Sequence, residues 1–127
     1  MKRILIVDDS EDIRELVLAT LKCPEYQILQ ACNADKAMSF FLNDLPDLIV
    51  LDVMMPGKMN GFELCKLIKH NIRLSSIKVI LLTARNQRDD IMEGIKVKSD
   101  AYVVKPFNPF ALQKKVHELL YPPELIQ

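Results

Sequence analysis

The segment LIVLD at residues 48–52 limits the kind of sheet that this chain can build. Its four apolar residues are consecutive rather than alternating with polar ones, so the strand they predict has both faces buried. Burial on both faces is typical of a parallel sheet that is covered by helices on each side. Asp52 is the polar residue that ends this run. LIVLD therefore predicts a central strand of an α/β domain, with a carboxylate at its carboxyl end.

The rest of the chain alternates strand-like and helix-like segments around this central strand. Further strands are predicted at residues 4–7, 26–31, 77–82 and 101–104. Between and after them, apolar residues recur at helical spacing, with only a weak stripe at Ile91, Met92 and Ile95. Asn33, Asn60 and Asn108 are predicted N-caps, and Pro109 lies in the first turn of the last helix. Strict alternation predicts parallel strands joined by right-handed crossovers. The predicted fold class is α/β, a doubly wound five-stranded parallel sheet with about five helices.

Composition excludes several classes of function. The 127 residues fit one domain, and Lys+Arg and Asp+Glu both number 17, so the formal net charge is zero. This balance argues against direct nucleic-acid binding and against a polybasic membrane surface. No apolar run approaches the ~20 residues of a membrane span. The apolar run that follows the N-terminal Met-Lys-Arg is too short for a signal peptide. A cytoplasmic location is the resulting expectation.

Cysteine and glycine counts exclude two kinds of cofactor site. The three cysteines form no Cys-x-x-Cys pair, and with only two histidines they do not predict a zinc site. The three glycines cannot form either of the glycine-rich loops that hold nucleotide phosphates. A glycine-cradled nucleotide is therefore not expected.

Polar residues appear where the predicted strands end. These are Asp8 and Asp9, Asp52, Thr83 and Lys105. Because the carboxyl ends of parallel strands meet at one edge of the sheet, we expect these side chains to lie together. A single Asp after a strand commonly does no more than form a turn or cap a helix, and that reading remains open for each residue alone. The complete set is harder to explain by capping and indicates a functional site at this edge of the sheet.

The chemistry of this set favours phosphoryl transfer. Neighbouring carboxylates repel one another unless a cation lies between them, and hard carboxylate oxygens suit Mg²⁺. Thr83 and Lys105 supply a hydrogen-bond donor and a positive charge for phosphoryl oxygens. Asp52 stands alone on the most apolar strand, whereas Asp8 and Asp9 form a pair suited to a metal ion. Asp52 is therefore the predicted nucleophile.

Four motifs in this order resemble the receiver domain of two-component response regulators. They are Val7-Asp8-Asp9, Leu51-Asp52-Val53-Met54-Met55-Pro56, Leu82-Thr83-Ala84 and Lys105-Pro106-Phe107. The resemblance implies a flavodoxin-like sheet of strand order 2-1-3-4-5. It also implies that residues 1–121 form the receiver domain and residues 122–127 a C-terminal tail or the start of a linker. A DNA-binding or catalytic output is then expected on another chain or beyond Gln127.

The resemblance also implies a role for each matching residue. Asp52 would accept a phosphoryl group from a histidine kinase or phosphotransfer protein, with Thr83 and Lys105 binding that group. The metal, Mg²⁺ or alternatively Mn²⁺, would be bound by Asp8, Asp9, Asp52 and the backbone carbonyl of Met54. Thr83 and Tyr102 would form the switch, and the Lys105–Pro106 bond is expected to be cis.

Such a domain is a phosphorelay signalling switch rather than an enzyme with turnover, and it assists only its own phosphorylation and dephosphorylation. Its implied partner downstream is a target protein or an output domain, with no membrane and no direct nucleic acid. The resemblance also leaves room for a phosphorylation-dependent homodimer.

Two departures from the family pattern give local predictions. The loop from Pro56 to Gly61 is one residue longer than usual, and we expect Gly57 to absorb the extra residue while Asn60 still caps the next helix. Lys98 stands where the family often has glycine, so a retained turn would force Lys98 into the left-handed region at a cost of ~1–2 kcal/mol.

Three other functions compete with the signalling switch. A phosphatase of the haloacid dehalogenase type is disfavoured because Met54 occupies the position where that family has a second Asp. A flavodoxin-like cofactor binder is disfavoured because the carboxylates would repel a cofactor phosphate. A binding module that works without phosphorylation is disfavoured by the complete acidic set.

Overall fold

The computed structural model describes residues 1–123 of the chain. Its strands are β1 (Lys2–Val7), β2 (Tyr26–Ala31), β3 (Leu48–Leu51), β4 (Lys78–Thr83) and β5 (Ala101–Val104). Its helices are α1 (Glu11–Leu21), α2 (Ala34–Ser39), α3 (Gly61–His70), α4 (Arg88–Lys96) and α5 (Pro109–Leu120), and a short 3-10 turn, Phe40–Leu42, extends α2. The part of the predicted tail at residues 124–127 lies outside the described residues.

The five strands form one parallel sheet in the order β2-β1-β3-β4-β5, which confirms both the fold class and the strand order. Every residue of β3 is buried, as a strand covered on both faces requires. Leu48 and Val50 belong to the core on the side of α1 and α5. Ile49 and Leu51 belong to the core on the other side, with α2 and α3. The consecutive apolar run therefore feeds two cores alternately.

Side-chain caps start the helices where the sequence predicts them. Asn33 accepts a hydrogen bond from the Lys36 N–H, and Asn108 accepts from Phe110 and Ala111, with Pro109 in the first turn. Asn60 forms a reciprocal capping box with Glu63 at the start of α3.

The predicted cap at Asn60 and the predicted left-handed turn at Lys98 are both confirmed. Gly57 has a φ of 105°, in the region that favours glycine, and Asn60 caps α3 despite the longer loop. Lys98 has a φ of 64°, so the left-handed turn is kept without glycine. The Lys105–Pro106 bond is cis.

The apolar residues that suggested α4 do not form its buried side. Ile91, Met92 and Ile95 are all exposed, whereas Asp90 and Gly94 are buried. Helical spacing correctly predicted a helix here, but the side that packs on the protein is the polar and glycine side. Among the described residues, no helix has the length and hydropathy needed to cross a membrane.

Candidate functional site

Three carboxylates meet at the carboxyl edge of the sheet. Asp8, Asp9 and Asp52 each place one carboxylate oxygen within 4.8 Å of the others. β1 and β3 are hydrogen-bonded neighbours, and the Asp52 N–H donates to the Val7 carbonyl at 2.9 Å, so the two strands end side by side. Asp8 and Asp52 are buried while Asp9 is exposed. The predicted acidic cluster is therefore assembled by the parallel pairing of β1 and β3.

Lys105 brings the positive charge into this cluster. Its Nζ lies 2.8 Å from Asp8 Oδ2 and 3.7 Å from Asp52 Oδ1, although 97 residues separate Lys105 from Asp8. The Lys105 N–H donates to the Thr83 carbonyl at 2.8 Å, which anchors the residue beside the end of β4. The ammonium thus pairs mainly with Asp8 and stands near the Asp52 carboxylate.

Asp52 keeps an uncompensated electrostatic cost in this arrangement. Burial raises the pKa of Asp52 above its ordinary value of 3.8, and the neighbouring Asp8 charge raises it further. Lys105 and the Met54 N–H, which donates to Asp52 Oδ1 at 3.4 Å, oppose this rise without cancelling it. Asp9 adds a small further repulsion. A buried carboxylate in this state gains from an additional cation.

The donor set matches what a hard divalent cation requires. Carboxylate oxygens are the ligands preferred by Mg²⁺, which keeps several waters and therefore needs an open side. Exposed Asp9 lines such an open cleft of about 430 Å³ together with Met54, Asn60 and Arg85. The geometry therefore fits a metal ion held by Asp8, Asp9 and Asp52 and open to solvent on one side.

Hydrogen bonds hold both the carboxylate and the backbone carbonyl of Asp8 in place. The Ser10 N–H donates to Asp8 Oδ1 at 2.9 Å, and Arg14 Nη1 donates to the Asp8 carbonyl oxygen at 2.8 Å. Ser10 also caps α1 by accepting from the Ile13 N–H. The sequence analysis did not identify Arg14, because nothing in its spacing separates it from an ordinary surface residue of α1.

Gly61 allows α3 to begin directly against the strand end that carries Asp52. Its N–H donates to the Val53 carbonyl at 2.9 Å. A Cβ at this position would collide with the Asp52 carbonyl oxygen and would lie 2.7 Å from Val53 Cα. Only glycine permits this approach, and the Asn-Gly pair at the helix start is the signal in the sequence that points to it.

The two predicted switch residues meet at the backbone of Arg85. Thr83 is fully buried, and its Oγ1 accepts a hydrogen bond from the Arg85 N–H at 3.2 Å. The Tyr102 hydroxyl donates to the Arg85 carbonyl oxygen at 2.7 Å. The Arg85 side chain forms an ion pair with Asp90, with Nη2 2.6 Å from Oδ1. Asp90 was not among the predicted site residues, since its partner lies on a loop whose path the sequence does not specify.

Comparisons with known proteins agree with this fold. The family model for the response regulator receiver domain matches residues 4–117. The phosphate regulon transcriptional regulatory protein PhoB of Pseudomonas aeruginosa is 38% identical over 119 residues, which are 94% of this chain and 52% of that protein. The chain spans about half the length of the curated relatives that it matches.

Solved structures give the same result. The Vibrio cholerae chemotaxis protein CheY4 superposes with a TM-score of 0.85 at 32% identity, covering 94% of this chain and 99% of that chain. The Mn²⁺-bound form of response regulator Rcp1 superposes with a TM-score of 0.84 at 27% identity, covering 100% of both chains.

Proposed function

The chain belongs to the response regulator receiver family, which works in phosphorelay signalling, and on that basis we propose that Asp52 is its phosphoacceptor. The observation that carries this assignment is that Asp52 lies close both to the Lys105 ammonium and to two further carboxylates. Lys105 Nζ lies 3.7 Å from it, and Asp8 and Asp9 offer oxygens within 4.8 Å. No comparison favours a phosphatase of the haloacid dehalogenase type.

The proposed step is the transfer of a phosphoryl group from a donor phosphohistidine to Asp52. An Asp52 carboxylate oxygen forms the new O–P bond as the P–N bond of a donor phosphohistidine breaks, and the electron pair of that bond returns to the imidazole. Lys105 stabilises charge on the transferred oxygens, and the Thr83 hydroxyl donates to one of them. The bond that Thr83 Oγ1 accepts from the Arg85 N–H does not use the hydroxyl hydrogen, which is the atom required for this role.

We assign the metal ligands to Asp8, Asp9, Asp52 and the backbone carbonyl of Met54. Mg²⁺, or Mn²⁺ as named for Rcp1, would neutralise the carboxylates and orient the incoming phosphoryl oxygens. The positive charge of the ion would also stabilise the ionised form of Asp52, which burial and Asp8 disfavour.

The proposed response is a shift between two conformers. Thr83 and Tyr102 are its switch residues, because both bind the backbone of Arg85 at the start of the loop to α4. A histidine kinase or phosphotransfer protein supplies the phosphoryl group, and a target protein or output domain receives the signal. The phosphorylated conformer could also form a homodimer. We assign the receiver domain to residues 1–121 and a tail or linker to residues 122–127. We also propose that the protein is located in the cytoplasm.

Intact mass spectrometry tests this function directly. The protein is incubated with acetyl phosphate and Mg²⁺, and we expect an adduct with the mass of one phosphoryl group that EDTA prevents. Asp52→Asn should show no adduct. Asp47→Asn is the matched control, because Asp47 lies just before β3 whereas Asp52 lies just after it, and an Asn retains an acceptor for the Arg3 N–H.

Each result has a clear meaning. An adduct in Asp52→Asn, or none in the unaltered protein with any donor, would refute the assignment of the phosphoacceptor. Continuous release of many equivalents of phosphate per protein would favour an enzyme instead.

A further inference from the structure

The Tyr102 ring occupies a hollow on α4 that exists because residue 94 is glycine. A Cβ at Gly94 would lie 2.7 Å from Tyr102 Cδ2 and 3.2 Å from Cε2, and Leu81 lines the same space at 3.5 Å. The hydroxyl at the end of this ring donates to the Arg85 carbonyl oxygen at 2.7 Å. Ring and hydroxyl are thus held from two sides, by α4 and by the loop between β4 and α4.

The position of the Arg85 carbonyl depends on how this loop is fastened. Residues 84–87 are all exposed, so few apolar contacts hold them. Besides the bond from the Tyr102 hydroxyl, two contacts fasten Arg85: its N–H donates to Thr83 Oγ1 at 3.2 Å, and its guanidinium pairs with Asp90. The second is the only ion pair that the described residues give to this loop.

Asp90 binds two residues of this loop. Its Oδ1 lies 2.6 Å from Arg85 Nη2, and its Oδ2 accepts from the Gln87 N–H at 3.2 Å, which completes a capping box at the start of α4. Its side chain is 9% exposed, so the charge is screened less than that of a surface acid. A carboxylate buried in this way is positioned rather than free to sample solvent.

We propose that Asp90 is a positioning residue that holds Tyr102 in the Gly94 hollow, acting through Arg85. Removing the Asp90 charge releases the guanidinium, and the loop loses the anchor that fixes the Arg85 carbonyl. Tyr102 then loses its hydroxyl partner, and the ring leaves the hollow in part of the population.

The consequence for signalling rests on the proposed function, whereas the position of the ring does not. If Asp90 holds Tyr102 in the Gly94 hollow, it biases the chain toward the conformer that has the ring there. Loss of Asp90 should then make the position of the ring depend more strongly on the phosphoryl group.

Nuclear Overhauser cross-peaks between the Gly94 Hα protons and the Tyr102 ring measure this position directly. In Asp90→Asn we expect the ratio of molecules with the Tyr102 ring inside the Gly94 hollow to those with the ring outside it to fall by about fivefold. This is within the range for losing one bond to a charged group that is partly exposed. The matched control is Asp89→Asn, which removes the same charge from the same helix turn at an exposed residue and should leave the cross-peaks unchanged.

A double variant tests whether Asp90 acts through Arg85. In an Arg85→Ala background, Asp90→Asn should have no further effect on the cross-peaks, whereas Arg85→Lys should retain much of their intensity. Cross-peaks of unchanged intensity in Asp90→Asn, or effects of the two changes that simply add, would overturn the proposal. A general loss of folding would instead remove the amide dispersion of the whole spectrum, and Asp90→Glu would then serve as the milder variant.

The acetyl phosphate assay separates the two proposals. If the unaltered protein forms no adduct while the cross-peaks respond to Asp90→Asn, the proposed function fails and the positioning role stands. If the adduct forms and the cross-peaks do not respond, the reverse holds.

Discussion

Replacing Lys98 by glycine should stabilise the protein. Lys98 follows α4 with a φ of 64°, and its N–H donates to the Ile95 carbonyl while the Ser99 N–H donates to the Gly94 carbonyl. These two bonds form a Schellman motif, whose left-handed residue is usually glycine. The Lys98 side chain is exposed, so its removal should cost little in contacts.

The expected gain is the difference between two opposing effects. A residue with a Cβ costs about 1–2 kcal/mol in the left-handed region. Glycine returns about 0.5–1 kcal/mol of this, because its unfolded chain has more conformations to lose. The net gain in the free energy of unfolding is therefore about 0.5–1 kcal/mol, which raises the Tm of a domain of this size by roughly 2–4 °C.

Thermal unfolding followed by circular dichroism measures this change, with two control variants. Lys98→Ala keeps the Cβ and should leave the Tm close to that of the unaltered protein. Lys114→Gly places glycine at an exposed residue inside α5 and should lower the free energy of unfolding by about 1 kcal/mol. A Tm for Lys98→Gly that is unchanged or lower would refute the reasoning, because the strain at this turn would then not govern its stability.

Three further predictions concern the site and the core. Without metal, Asp52→Asn should be more stable than the unaltered protein at neutral pH: burial raises the Asp52 pKa, so the folded protein loses stability as the pH rises through that raised value. Urea unfolding in EDTA should show this difference shrinking toward pH 3.8, and a difference independent of pH would contradict it. Gly61→Ala should lower the free energy of unfolding by about 1–3 kcal/mol and slow phosphoryl uptake, because the added methyl group collides with the Asp52 carbonyl; unchanged urea unfolding and adduct formation would argue against this. Burial raises the pKa of the Cys65 thiol to about 12, so iodoacetamide should label exposed Cys32 readily and Cys65 only through unfolding, and equal labelling rates by peptide mass mapping would refute it.

Local and periodic features were predictable from the sequence. The apolar run of β3 indicated burial on both faces, and Asn33 and Asn108 marked helix starts that the structure confirms. Parallel pairing then required Asp8 and Asp52 to end at the same edge of the sheet, where the structure places them. These features depend on neighbours in sequence or on one topological rule, so a single sequence was sufficient.

The packing of α4 was not predictable in the same way. Its exposed Ile91, Met92 and Ile95 suggested an apolar inner side, yet Gly94 and Asp90 are the buried residues. The reason is that α4 packs around the Tyr102 ring, which comes from the following strand and needs a small residue opposite it. Periodicity within one helix carries no information about the shape of the side chain that meets it.

The sequence by itself determined the architecture and the composition of the site. Consecutive apolar residues and regular alternation are sufficient for a helix-covered parallel sheet, and the polar residue after each strand is then brought to one edge. Only the tertiary structure decided which of those groups bind one another: Lys105 pairs mainly with Asp8 rather than Asp52, and Arg85 pairs with Asp90. Such choices depend on differences of about an ångström between competing partners, which sheet twist and helix packing set and residue order does not.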